Sequence, residues 1–312
     1  MAASAPHVHQ ITERVSTLRA RLVDNPVIRK ELRGLMRGQR AFWLLSGYIA
    51  VISAFVGLLY LTLSLQTSFA ASDPQFRQGV GKILFGAIVL LELLMVSFIA
   101  PALTAGAITG ERERQTFDLL RTTLLSARSL VLGKLVVAIT YLILLIFAAL
   151  PIQSLAFLLG GVGLAELLIS SLLLVITALF FGALGLFFSS FLHRTLASTV
   201  GTYASIVLSY IALGLGFSLV LSVSTIFTNN QWSDTLLAVA LWTLICTNPL
   251  LTAIISEVIL IEDQSLFYTS SAFPTVNFPL PSPWIPFSII HLGLAIVLIA
   301  LSIYFVRRPS RT

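Results

Sequence analysis

The chain has 312 residues, 57% of them hydrophobic and only 10% charged, with a formal net charge of +6. Soluble domains carry about 25% charged residues, so this composition excludes a water-covered globule and indicates an integral membrane protein. A single cysteine, Cys246, excludes a disulfide within the chain and a cysteine metal cluster; the four histidines lack metal-ligand spacing, so no metal site is expected.

From the N-terminus, residues 1–24 read as a polar cytosolic tail, without the apolar core of a cleaved signal peptide. Residues 25–312 read as one transmembrane domain. Asn25 can cap a helix and Pro26 suits its first turn, which predicts a helix over 26–40. Ile28, Leu32, Leu35 and Met36 share one face of it, while Arg29, Lys30, Arg33 and Arg37 occupy the rest. Such a helix lies in the interface, apolar face toward the acyl chains and cations near lipid phosphates. The plainer alternative is a polybasic anchor with no defined angle.

Six apolar runs follow, at about 41–65, 83–108, 130–150, 165–191, 196–227 and 284–306. Each approaches the roughly 20 residues that a helical span needs. The runs are continuous rather than alternating, which selects helices over a barrel. The expected fold class is therefore all-α, a polytopic protein with six transmembrane helices.

Within the second run, Glu92 sits near the middle. A charge at that depth costs roughly 2.5–3.5 kcal/mol, which predicts that the side chain faces protein or water. It is a candidate for a translocation path or a proton relay; the plainer reading is a protonated acid bonded to a neighbouring helix. Pro101 predicts a kink near Thr104 and Gly106. Gly182, Gly185, Ser189 and Ser190, then Ser198, Gly201 and Ser205, are small residues suited to close helix packing. Residues 235–261 are apolar but broken by Asn248-Pro249, which predicts two short helices, about 235–246 and 250–261. They form a re-entrant hairpin or a pair of outer-face helices, with 264–286 as the loop back to the last span. His291, on that span, reads as a packing or hydrogen-bonding residue.

Basic residues set the orientation. Eight lie in residues 1–40, five in 109–134, one at Arg194 and three at the C-terminal end, against two, Arg77 and Lys82, on the other side. The positive-inside rule then places both termini in the cytosol of a multi-pass protein of the inner (plasma) membrane. Cations tied to membrane boundaries point to anionic lipid rather than nucleic acid.

The segment TGERERQTFDLLRTTLLSARSLVLGK, residues 109–134, is a charged island between two spans. If 115–125 is helical, Phe117, Leu120 and Leu124 share a face. Glu111 and Glu113 suit the start of that helix and Arg128 its end. The reading divides between an ordinary amphipathic connector and a helix that docks in a partner's groove. Here the chain resembles the permeases of ABC-2 type transporters. Gly110, Glu111, Arg112, Glu113, Thr116, Leu119, Leu120, Ser126, Gly133 and Lys134 match that family's loop after the second span. Asn25, Pro26, Lys30, Glu31 and Leu32 are similar to its opening elbow helix. The chain departs at Leu124, where a proline often follows the threonine, and at Phe117-Asp118, where Leu-Glu is common.

The resemblance implies a transmembrane subunit that pairs with a second permease subunit and rests on a separate ATPase, which binds ATP and Mg. The loop would be its coupling helix, with Glu111, Arg112, Glu113 and Arg114 as polar contacts and Phe117, Leu120 and Leu124 as an apolar plug. The chain lacks a GxxxxGK[ST] phosphate loop, so no catalytic residue and no bound cofactor are expected in it. Short outer loops favour export. An ion-driven secondary transporter is the alternative, weakened by scarce membrane charges and the lack of inverted repeats.

Overall fold

The computed structural model describes residues 34, 39–66, 74–117, 126–226, 231–262, 265–269 and 279–307. Arg29, Lys30, Arg33 and Arg37 of the expected elbow, and Leu120 and Leu124 of the loop, lie outside the described residues.

Six described helices are long and apolar enough to cross a membrane. In chain order the helices are α1 (Gln39–Gln66), α2 (Pro74–Thr104), the short α3 (Thr109–Glu113), α4 (Ala127–Leu159), α5 (Leu164–Phe191) and α6 (Thr195–Ile226). Then come α7 (Gln231–Thr247), α8 (Pro249–Glu262) and α9 (Trp284–Arg307). Two-residue strands, β1 (Tyr268–Thr269) and β2 (Leu280–Pro281), pair antiparallel just before α9.

Two spans are longer than their apolar runs suggest. The second helix starts at Pro74 rather than near 83, and the third continues to Leu159 rather than stopping near 150. Pro151 lies inside α4. A proline removes one helical donor, but membrane helices tolerate it where neighbouring groups take up the freed carbonyls. The residues after it, IQSLAFLL, remain apolar and helical. The helix ends at Gly160 and Gly161, both at φ 88°. A Cβ on Gly161 would stand 2.6 Å from the Gln78 carbonyl oxygen, so glycine lets the end of α4 close against the start of α2.

α5 is the hub. It packs most extensively against α9 and α2, and α2 packs in turn against α4. Phe85, Ile88, Leu93, Leu142, Leu145, Leu173 and Leu174 are fully enclosed between these helices. Lipid is as apolar as leucine, so close packing rather than expulsion from water holds such helices together. At Gly185 the approach is tightest: a Cβ there would meet Thr104 Oγ1 at 2.2 Å. α1 and α6 are peripheral, with only 11% and 6% of their most apolar windows buried.

α7 and α8 form the expected bent pair, with 111° between them. Asn248 makes the corner. Its Oδ1 accepts from the Leu250 and Leu251 N–H groups at 2.9 and 3.3 Å, capping α8, while Pro249 needs no such partner. Thr252 Oγ1 donates back to the Ile245 carbonyl at 2.8 Å, tying one arm to the other. Trp242 Nε1 donates to the Pro281 carbonyl and Trp284 Nε1 to the Leu266 carbonyl, which binds the β pair to α7 and α9.

Candidate functional site

The charged segment after α2 begins at a break in the helix. Pro101 cannot donate to the Ser97 carbonyl, and residues 105–108 are turns between α2 and α3. Buried backbone groups at such a break need partners. Ser189 on α5 supplies them: its Oγ accepts from the Ile108 N–H at 2.9 Å and the Thr109 N–H at 3.1 Å. From α6, Ser198 Oγ donates to the Ala105 carbonyl at 2.6 Å. Regular helix gives way to turns at 105–108, four residues after Pro101, and two serines read from sequence as packing residues also serve the backbone there.

α3 ends in a left-handed cap. Gln115, at φ 58°, is the described non-glycine residue with positive φ. Its N–H donates to the Arg112 carbonyl at 3.0 Å, and the Thr116 N–H donates to the Glu111 carbonyl at 3.0 Å. This pair of bonds is a Schellman motif, usually built on glycine. Thr116 Oγ1 adds bonds to the Glu111 carbonyl and carboxylate, which fixes the turn.

The charged residues of α3 reach different neighbours. Glu111 pairs with the buried Lys134 of α4, Oε1 to Nζ 3.5 Å. Arg112 donates to the Leu192 carbonyl at the end of α5, 2.9 Å, and stacks over the Phe117 ring at 5.1 Å. Glu113 accepts from the Thr195 N–H at 2.7 Å and the Thr195 hydroxyl at 2.8 Å. It thereby satisfies one of the donors left open at the start of α6 and places negative charge at that helix N-terminus. Phe117 is 9% exposed and packs with Ile108, Leu130, Val131, Leu135, Leu186 and Val306. Arg114 and Gln115 stay exposed.

Segment 109–117 is thus clamped at three points: the start of α4, the α5–α6 turn, and an apolar cluster reaching α9. Sequence spacing singled out Glu111, Arg112, Glu113, Arg114 and Phe117 but did not show that most of them bind their own chain. The partners of Arg112 and Glu113, Leu192 and Thr195, lie about 80 residues away, beyond any local pattern.

Glu92 sits elsewhere, enclosed between α2 and α4. It is fully buried and accepts from Gln153 Nε2 at 2.8 Å. Gln153 is also fully buried. Tyr48 of α1 is also buried and lies near Glu92. From 92 to 111 along α2 and α3, and from 134 to 153 along α4, the separation is nineteen residues in each case. The Glu92–Gln153 and Glu111–Lys134 contacts are therefore two rungs about 28 Å apart at 1.5 Å per residue. The sequence reading places the third span at about 130–150, which leaves Gln153 outside it. The signal was present: an amide inside an apolar run.

His291 lies stacked on Phe287 at 4.0 Å with Phe180 edge-on at 4.8 Å, the packing role expected of it. Among the described residues no group of three or more His, Cys, Asp or Glu could hold a metal ion.

The chain is thus a polytopic helical bundle whose charged loop after the second span is bonded to its own helices. Residues 25–307 match the model of the ABC-2 family transporter proteins, and the chain belongs to that family. No curated protein matches it. The chain is accordingly an ABC transporter permease, a family of membrane components that generally work with an ATPase subunit. Nothing in that membership supports the ion-driven alternative.

Proposed function

We propose that segment 109–134 is the coupling site through which a separate ATPase, binding ATP and Mg, drives this permease as an exporter. The observation that carries the reading is the clamp on 109–117. A force applied there reaches α4 through Glu111–Lys134, the α5–α6 turn through Arg112 and Glu113, and α9 through Phe117. A loop that only connected two spans would not need bonds to three other elements.

In this reading the parts divide. Glu111, Arg112, Glu113 and Phe117 hold the loop to the transmembrane helices, and Arg114 with Leu120 and Leu124 meets the ATPase. Arg29, Lys30, Arg33 and Arg37 anchor the elbow on anionic lipid. Both termini lie in the cytosol of the inner membrane, and a second permease subunit completes the translocation path. Glu92 would enter that path only when α2 and α4 part, because within one chain it is enclosed.

Co-expression with candidate ATPases tests this. An ATPase is expected to co-purify with the wild-type chain and to be lost in R114E combined with L124D, at unchanged melting temperature. Retention of the ATPase by that double variant would sink the assignment of the loop.

A further inference from the structure

We propose that Glu92 is an intramembrane proton-binding site: a carboxylic acid whose one proton closes a paired hydrogen bond with the Gln153 carboxamide. Gln153 Nε2 already donates to Glu92 Oε2 at 2.8 Å. Among the described residues this leaves Glu92 Oε1 and Gln153 Oε1 without partners, and Tyr48 Oη as well. With Glu92 ionised, its Oε1 and the amide oxygen are both acceptors and cannot bond each other. A proton on Glu92 Oε1 makes that atom a donor, and a carboxylic acid and a carboxamide then pair through two hydrogen bonds. One proton accounts for both orphan oxygens.

Among the described residues, the surroundings of Glu92 offer no cation to hold a carboxylate instead. Gln153, the polar partner, is neutral, and so is the phenol of Tyr48, which lies near Glu92 on α1. On the other helices packed against α2, Tyr203 and Tyr210 of α6 are bonded to the Phe98 carbonyl and Ser97. Tyr141 of α4 lies among the apolar core residues. Lys134, also on α4, is paired with Glu111 at the far rung. Glu257 of α8 lies in the neighbourhood of Glu166 of α5 and of Lys82, which is ten residues from Glu92 along α2, or about 15 Å. An unpaired charge buried in such a place is costly, so the neutral acid is the stable form while α2 and α4 are closed.

The site's ligand is the proton itself, released to solvent when the two helices separate and water reaches Oε1. Its loss removes one of the two bonds between Glu92 and Gln153 and leaves a charge in its place. Alkaline pH therefore loosens this contact.

Infrared spectroscopy of the full chain in lipid nanodiscs tests the proposal. The C=O stretching band of a protonated carboxyl is expected to persist above neutral pH in the wild type and to vanish in E92Q. Q153L, which keeps the acid but removes its partner, should shift that band to the frequency of an unpaired acid. E92Q replaces the acid O–H with an amide N–H and should melt near the wild type at neutral pH, well above E92L. A wild-type spectrum without the band, or a band unmoved in Q153L, would overturn the proposal. So would E92Q melting as low as E92L. None of these readouts depends on an ATPase, so they fail independently of the coupling assignment.

Discussion

Ser189 does more than a small packing residue needs to. One oxygen accepts from two backbone N–H groups at the break below Pro101, and all of these groups are buried. Ser189→Ala keeps the size and removes the acceptor. Leaving buried donors open costs about 1–3 kcal/mol, so the variant is expected to melt measurably lower in detergent, whereas Ser205→Ala should not. Equal melting of the two would show that water replaces the hydroxyl. At this scale the sequence showed which residues were unusual but not what they touch. Glu92 stood out by its charge and Ser189 by its size, yet Gln153 and Thr195 became partners only through folding. Gln115 carried no signal at all, since glycine is the residue expected at a left-handed cap.

Helices were the most legible level. Continuous apolar runs and the Asn248-Pro249 break gave six spans and a bent pair, because backbone pairing inside lipid leaves few other solutions. Their ends were less legible, because a helix in this chain outlasts its most apolar stretch: α2 starts before Val80 and α4 passes through Pro151. The start of α6 illustrates why tertiary context decides ends. Its first N–H, that of Thr195, is served by Glu113, a residue of another helix. Glu113→Ala should therefore speed hydrogen exchange in the first turn of α6, around Thr195, with little change in its middle. Unchanged exchange there would mean that Glu113 does not cap the helix.

For the whole molecule, the charge distribution predicts sides that a helical bundle alone does not. The lone cysteine makes this testable, since Cys246 is buried and a C246S background is free of thiols. In that background, cysteine at the exposed position Arg114 should react with a membrane-impermeant maleimide only after the cytosolic face is opened. Cysteine at the exposed Phe267, beside the β pair, should react in intact cells. The reverse pattern would invert the assigned orientation. Family membership was legible from the loop and elbow residues alone, because the motif is local. How the loop is held was not, because each of its anchors lies on a different helix.

The two rungs between α2–α3 and α4 have a mechanical meaning. Because they stand about 28 Å apart at equal spacing along antiparallel helices, sliding one helix by a single turn, about 5.4 Å, breaks both together. Such a slip is therefore penalised twice, so α2 and α4 are expected to resist sliding past one another more than either contact alone would enforce.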